Sequence, residues 1–179
     1  ENVEIITVED NQPTTIHAAE AIYEQTNGRI FLNGGANITQ GSNLVKGDNI
    51  NAQLYPNKKL QNAVSRGNAF LRQITPERTV EITGNELNAT FGVNEQPQNS
   101  FARGNAFLKQ ISPERTTEIR GNELNATFNG NGLLQNANSL GASTVVMVPT
   151  KALDYSRATM SSVNSIKVFY TPTGILNQM

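Results

Sequence analysis

Hydrophobic and polar residues alternate along much of the chain with a period of two. Ala69, Leu71 and Gln73 fall on one face while Asn68, Phe70 and Arg72 fall on the other, and Val80/Ile82 and Leu87/Ala89/Phe91 keep the same alternation. This is the pattern of a β-strand with one face toward a core. The i, i+3, i+4 stripes that helical repeats need are missing. Residues 14–25 are rich in Ala and Glu, a composition that a helix accepts, but Ile16 and Ala18 alternate, so this segment too is expected to be extended.

The pattern repeats. Residues 66–91, RGNAFLRQITPERTVEITGNELNATF, return at 103–128 as RGNAFLKQISPERTTEIRGNELNATF, identical at 22 of 26 positions with an offset of 37. Near-identity over that length marks duplication of one structural unit. A looser copy comes first, with Gly34-Gly35-Ala36-Asn37-Ile38 and Gly47-Asp48-Asn49-Ile50-Asn51 at the matching places. A worn copy follows, in which Ile166-Lys167-Val168-Phe169-Tyr170 replaces Leu-Asn-Ala-Thr-Phe, and residues 171–176 echo the turn at 56–60. Three to four short strands are expected per unit of about 37 residues. Pro76 and Pro113 belong between strands, where a missing N–H costs nothing, and Gly84-Asn85 and Gly121-Asn122 predict a bend or bulge. The whole chain, residues 1–179, is expected to form one all-β domain. It begins at Glu1 with no leader and stops where another strand is due, so a mature form or a fragment is expected.

Composition narrows the function. Only 16% of residues are charged and 37% hydrophobic, and the difference is made up by uncharged polar residues, among them 24 Asn. Asn tolerates turns and left-handed backbone. A net charge of −1 with scattered basic residues gives no footprint for nucleic acid. No apolar run approaches the roughly 18 residues of a membrane span. With no Cys and a single histidine, His17, neither a zinc site nor thiol chemistry can be assembled. No nucleophile triad, P-loop or dinucleotide fingerprint occurs. Glu77-Arg78 and Glu114-Arg115 read as surface pairs. A non-enzymatic protein without cofactor or metal is expected.

Two sheets packed face to face leave a slot about 10 Å across. The expected inward positions mix small and large residues. In the first copy they are Ile16, Ala18, Leu32, Ala36 and Ile38. In the second they are Ala69, Leu71, Ile82 and Leu87, and in the third Ala106, Leu108, Ile119 and Leu124. Such a lining can leave a groove for flexible apolar chains. It can also pack shut, giving a structural β-solenoid, an adhesin or envelope spacer with a filled core. Phe70 and Phe107 lie on the opposite parity and test which face is inside. A glycan site would need clustered aromatics and acids, and the four Tyr are spread widely.

Four ordered pieces carry a resemblance. They are Gln12-Pro13-Thr14-Thr15-Ile16-His17-Ala18, then Leu32-x-Gly34-x-Ala36-x-Ile38-x-Gln40-Gly41, then Lys46-Gly47-Asp48-x-Ile50, then Leu60-x-x-Ala63-x-x-x-Gly67-Asn68. In these the chain resembles the OstA-like family, the LptA-type periplasmic proteins of lipopolysaccharide transport. The likeness is strongest over 12–75, continues to about 128 and is faint beyond 133. It implies an open, twisted antiparallel β-jellyroll, folded like a taco shell, in the periplasm of a Gram-negative bacterium. It further implies that lipid A acyl chains of lipopolysaccharide lie against the inward residues named above. The partners implied are other proteins of the bridge between inner and outer membranes, or further copies of the chain, joined edge to edge. The strands at 3–8 and 165–170 are the expected edges.

Overall fold

The computed structural model describes residues 3–9, 12–150, 157–170 and 176–178. Each near-identical repeat forms two long strands rather than three or four short ones. They are β6 (Leu60–Ile74) with β7 (Thr79–Phe91), and β8 (Pro97–Ile111) with β9 (Arg115–Phe128). The glycines bend a strand without ending it. On β6, Gly67 and Asn68 both adopt left-handed backbone, with φ of 68° and 49°, and Gly104 and Asn105 do the same on β8. Two residues then oppose one. Pairing runs through Arg66↔Glu86, skips, and resumes at Ala69↔Gly84; in the next repeat it skips between Arg103↔Glu123 and Ala106↔Gly121. Only Gly and, less easily, Asn take this conformation at low cost. At Gly104 an added Cβ would sit 2.6 Å from Asn85 Nδ2, so the Asn85 side chain would have to shift.

The same skip falls between Asn33 and Ala36 on β4 (Arg29–Gln40), opposite β5 (Asn43–Leu54). A line of bulges therefore crosses the sheet from β4 to β9 and folds it into two walls. Turns such as 75–78, where Thr75 N donates to Arg78 O at 2.8 Å, lie on the rim of the first wall. Turns 55–59, 92–96 and 129–133 lie on the rim of the second. They share one geometry, with positive φ at Lys58, Glu95 and Gly132.

At both ends of the sheet the walls separate into different strands. β2 (Gln12–Ala18) and β3 (Glu20–Glu24) pair with the two halves of β4, and Ala19 turns the corner between them. The Ala/Glu-rich segment is thus extended, as the alternation predicts. β1 (Val3–Glu9) covers β2 and, among the described strands, is an edge of the first wall, with Glu4 facing His17 at 3.6 Å. Beyond β9, β10 (Leu134–Leu140) continues the second wall and β11 (Ser143–Pro149) the first. β12 (Ala158–Ser162) pairs with β11, and β13 (Ser165–Tyr170) with β10. β13 stands where the second half of a further long strand would be and buries Ile166, Val168 and Tyr170, the residues read as a worn copy. It is not a bare edge: β14 (Leu176–Gln178) pairs with Phe169 and Tyr170. The turn compared with 56–60 falls at 171–175, outside the described residues. The described strands form one open antiparallel sheet whose two ends do not pair with each other. Among the described residues no helix is long and apolar enough to cross a membrane.

Candidate functional site

All thirteen residues expected to point inward are buried, none more than 4% exposed. Phe70 and Phe107 lie outside, and Arg120 stacks over the Phe107 ring at 4.2 Å. The register sorts the inward residues by wall. On the first wall, Ile5, Ile16, Ile38, Val45, Leu71 and Ile82 pair one after another, and the row continues through Leu108, Ile119 and Val145. This is an unbroken aliphatic ladder across nine strands, about 40 Å long at the usual strand spacing. The second wall carries a row of small residues, Ala52, Ala63, Ala89, Ser100, Ala126 and Ala137. In the centre of the sheet Ile82, Leu87, Leu108, Ile119 and Leu124 are fully buried in one cluster.

The N-terminal end is different. A cavity of about 250 Å³ opens there between the walls. Ile5, Ile16 and Ile38 line it from the first wall, and Ala21, Ile22, Tyr23 and Ile30 from the second; Leu54, Lys58 and Leu60 close the rim side, with Thr14 and Gln25 alongside. Of the thirteen sequence-derived positions, the structure brings Ile16 and Ile38 to this cavity. The other eleven lie in the packed interior. The repeat explains why space remains here. Leu54 occupies the place held by Phe91 and Phe128 in the later copies, 37 and 74 residues on. Those rings are buried and fill the rim side of the core, whereas Leu54 is smaller and only half-buried.

One cation stands at the mouth. Lys58 Nζ donates to Tyr23 Oη at 2.8 Å and lies 5.5 Å from the centre of its ring. No carboxylate among the described residues lies within ion-pair distance of Lys58; the neighbouring Lys59 instead pairs with Glu95 at 3.0 Å. The alternating pattern could not single out Lys58 and Tyr23. The usable signal was the repeat itself, which sets Lys58 in register with Glu95 and Gly132.

The long rim is tied shut by side chains. Gln40 Oε1 accepts from Leu60 N across the slot at 3.0 Å, while its Nε2 donates to Thr14 Oγ1 at 2.8 Å. Asn43 Nδ2 donates to Glu95 O at 2.6 Å, and Gln73 Nε2 to Gln96 Oε1 at 2.8 Å. In the third copy Leu133 stands at the place of Gln96, and the buried Gln110 Oε1 has no hydrogen bond among the described residues.

A V-folded, open antiparallel sheet with an aliphatic ladder inside is an open β-jellyroll. The comparisons with known proteins give the family. The profile of the LptA/(LptD N-terminal domain) LPS transport protein family matches residues 15–146, well over half of the chain. The chain belongs to this family. The match runs past both near-identical repeats and into β11, within the stretch where the likeness is faint. Among solved structures the chain is similar to LptH, described as the LptA-homologous periplasmic component of the conserved lipopolysaccharide transport device of Pseudomonas aeruginosa. Identity is 20% and the TM-score 0.50, over 65% of this chain and 76% of that one. That likeness is one of fold. No curated protein sequence matches significantly.

Proposed function

We propose that this protein is a periplasmic carrier of lipopolysaccharide that holds acyl chains between its two walls and works with other bridge components, or further copies of itself, between inner and outer membranes. The apolar cavity at the N-terminal end carries this reading, because it places unfilled space at the start of the aliphatic ladder. Each methylene buried there would contribute roughly 0.8 kcal/mol, without any directional bond that fixes the lipid in register. The ladder from Ile38 through Leu71, Ile82 and Leu108 to Ile119 is the path along which a tail would advance. Ala18, Leu32, Ala36, Ala69, Leu87, Ala106 and Leu124 complete its lining. Advance into the centre requires the walls to part, and the hydrogen bonds of Gln40, Asn43 and Gln73 are what must open.

The filled centre favours a second reading, a structural scaffold whose interior never admits a ligand. One experiment separates the two. Protein mixed with lipopolysaccharide at tens of micromolar is passed over a sizing column. A carrier elutes with lipid bound and keeps it from aggregating. Lipid that elutes wholly apart from the protein leaves the scaffold.

A further inference from the structure

We infer that the N-terminal cavity is a binding site for a single tail bearing an anionic head, with Lys58 and Tyr23 as the groups that select the head. The inference rests on the carrier reading above and adds the number of tails and the sign of the head.

Volume sets the number. An engineered apolar cavity of about 150 Å³ takes one benzene-sized ligand, so about 250 Å³ holds part of one tail and not a bundle. Eight of the twelve lining residues are aliphatic, so the walls favour an apolar tail. The head is set by what stands at the mouth. An ammonium has three protons to donate, and Lys58 gives one to Tyr23 Oη. Two remain, with no described carboxylate in range to take them. Tyr23, accepting from Lys58, keeps its own hydroxyl proton. Both groups can therefore donate to one carboxylate or phosphate oxygen above the cavity. A cationic head would be repelled, and a neutral one would forgo the charge-assisted bonds, which are the stronger kind.

Lys58 sits at φ 62°, a property of the turn, since Gly132 takes the same position at φ 72°. The repeat also supplies clean variants. Glu95 holds this position in the next copy at φ 65°, so both Lys58→Gly and Lys58→Glu are compatible with the turn.

The test is calorimetric titration of the whole protein with ten-carbon probes below their micelle concentrations, in parallel with lipopolysaccharide. The probes are decanoate, decyl phosphate, decanol and decyltrimethylammonium, with inorganic phosphate as the tailless control. Decanoate and decyl phosphate are expected to bind at one site, at least about tenfold tighter than decanol or the cation, the scale of a charge-assisted bond. Inorganic phosphate alone should not bind measurably. Lys58→Gly should level the preference and Lys58→Glu should turn it toward the cation, both with circular dichroism unchanged. Equal affinity for all four tails, or an anion preference that survives in both variants, overturns the selection of the head while leaving the carrier intact. Lipopolysaccharide binding without binding of any ten-carbon probe overturns the cavity as a single-tail site. Absence of binding by every probe and by lipopolysaccharide overturns the inference together with the carrier reading.

Discussion

Two places on one aliphatic ladder can be compared directly. At Leu108 in the middle and at Ile16 near the start, the strands carry similar residues on the same face of the same wall, and both side chains are buried. Yet Leu108 is fully buried in the core cluster, and Ile16 borders a cavity. The difference comes from the other wall. In the centre Phe91 closes the rim side and the long strands run unbroken through the bulge. At the N-terminal end Leu54 takes the place of the phenylalanine, and β2 and β3 are separate strands. The cavity thus coincides with a smaller side chain at one place of a repeated pattern, and with no added motif.

That comparison can be broken most forcefully in the core. Leu108→Ala should cost about 2–5 kcal/mol in denaturant unfolding, because it opens a hole in a filled interior. Ile16→Ala should cost clearly less, since fewer atoms pack around it. Equal losses would mean that the N-terminal end is as tightly packed as the middle. The bulge line gives the next effect. Gly104→Ala should cost about 1–3 kcal/mol, combining left-handed strain with the encounter with Asn85. Gly35→Ala, at φ 71° with nothing near its Cβ, should cost only the strain, about 1 kcal/mol. Leu54→Phe is expected to raise stability by up to about 1 kcal/mol by filling the cavity, and to abolish tail binding. A variant that is more stable and still binds a tail would separate the site from the cavity.

The smallest effect is electrostatic and belongs to the outer surface. Arg103 Nη2 bonds Glu86 Oε2 at 2.8 Å and, with Arg66, holds that carboxyl below its usual range. A carboxylate whose pKa is lowered in the folded state adds stability that is fully present above the ordinary carboxylate range. The contribution is lost as pH falls through the lowered value. Acid unfolding of Arg103→Gln should therefore show a flatter pH dependence, and added salt should shrink the difference. Tail binding should be untouched, since these groups lie on the opposite face from the ladder.

Much of the fold was legible because strands have a strict period. One parity choice placed Leu71 and Leu108 inside and Phe70 and Phe107 outside, and the near-identical repeats carried that choice across the sheet. Strand count was not legible. Gly-Asn pairs look alike whether they end a strand or bulge it, and only the pairing on both sides of Gly67-Asn68 distinguishes the two. The site was legible only in part. Ile16 and Ile38 were reached by alternation, but the cavity depends on a size difference between Leu54 and Phe91, which stand far apart in sequence. Lys58 lies in a turn, where alternation carries no information. The rim fastening escaped for a related reason: Gln40 and Gln73 keep the inward parity, but their partners Leu60 and Gln96 come from a strand start and a turn on the facing wall.

The central claim is that lipid enters the slot at its N-terminal end and lies along the inner face of the first wall. Photo-crosslinking residues placed singly at Ile38, Leu71, Leu108 and Phe70, followed by exposure to radiolabelled lipopolysaccharide, test it most directly. The strongest label is expected at Ile38, weaker label at Leu71 and Leu108, and none at Phe70. Labelling of Phe70 as strong as that of Ile38, or bound lipid that labels none of the inner positions, would contradict it.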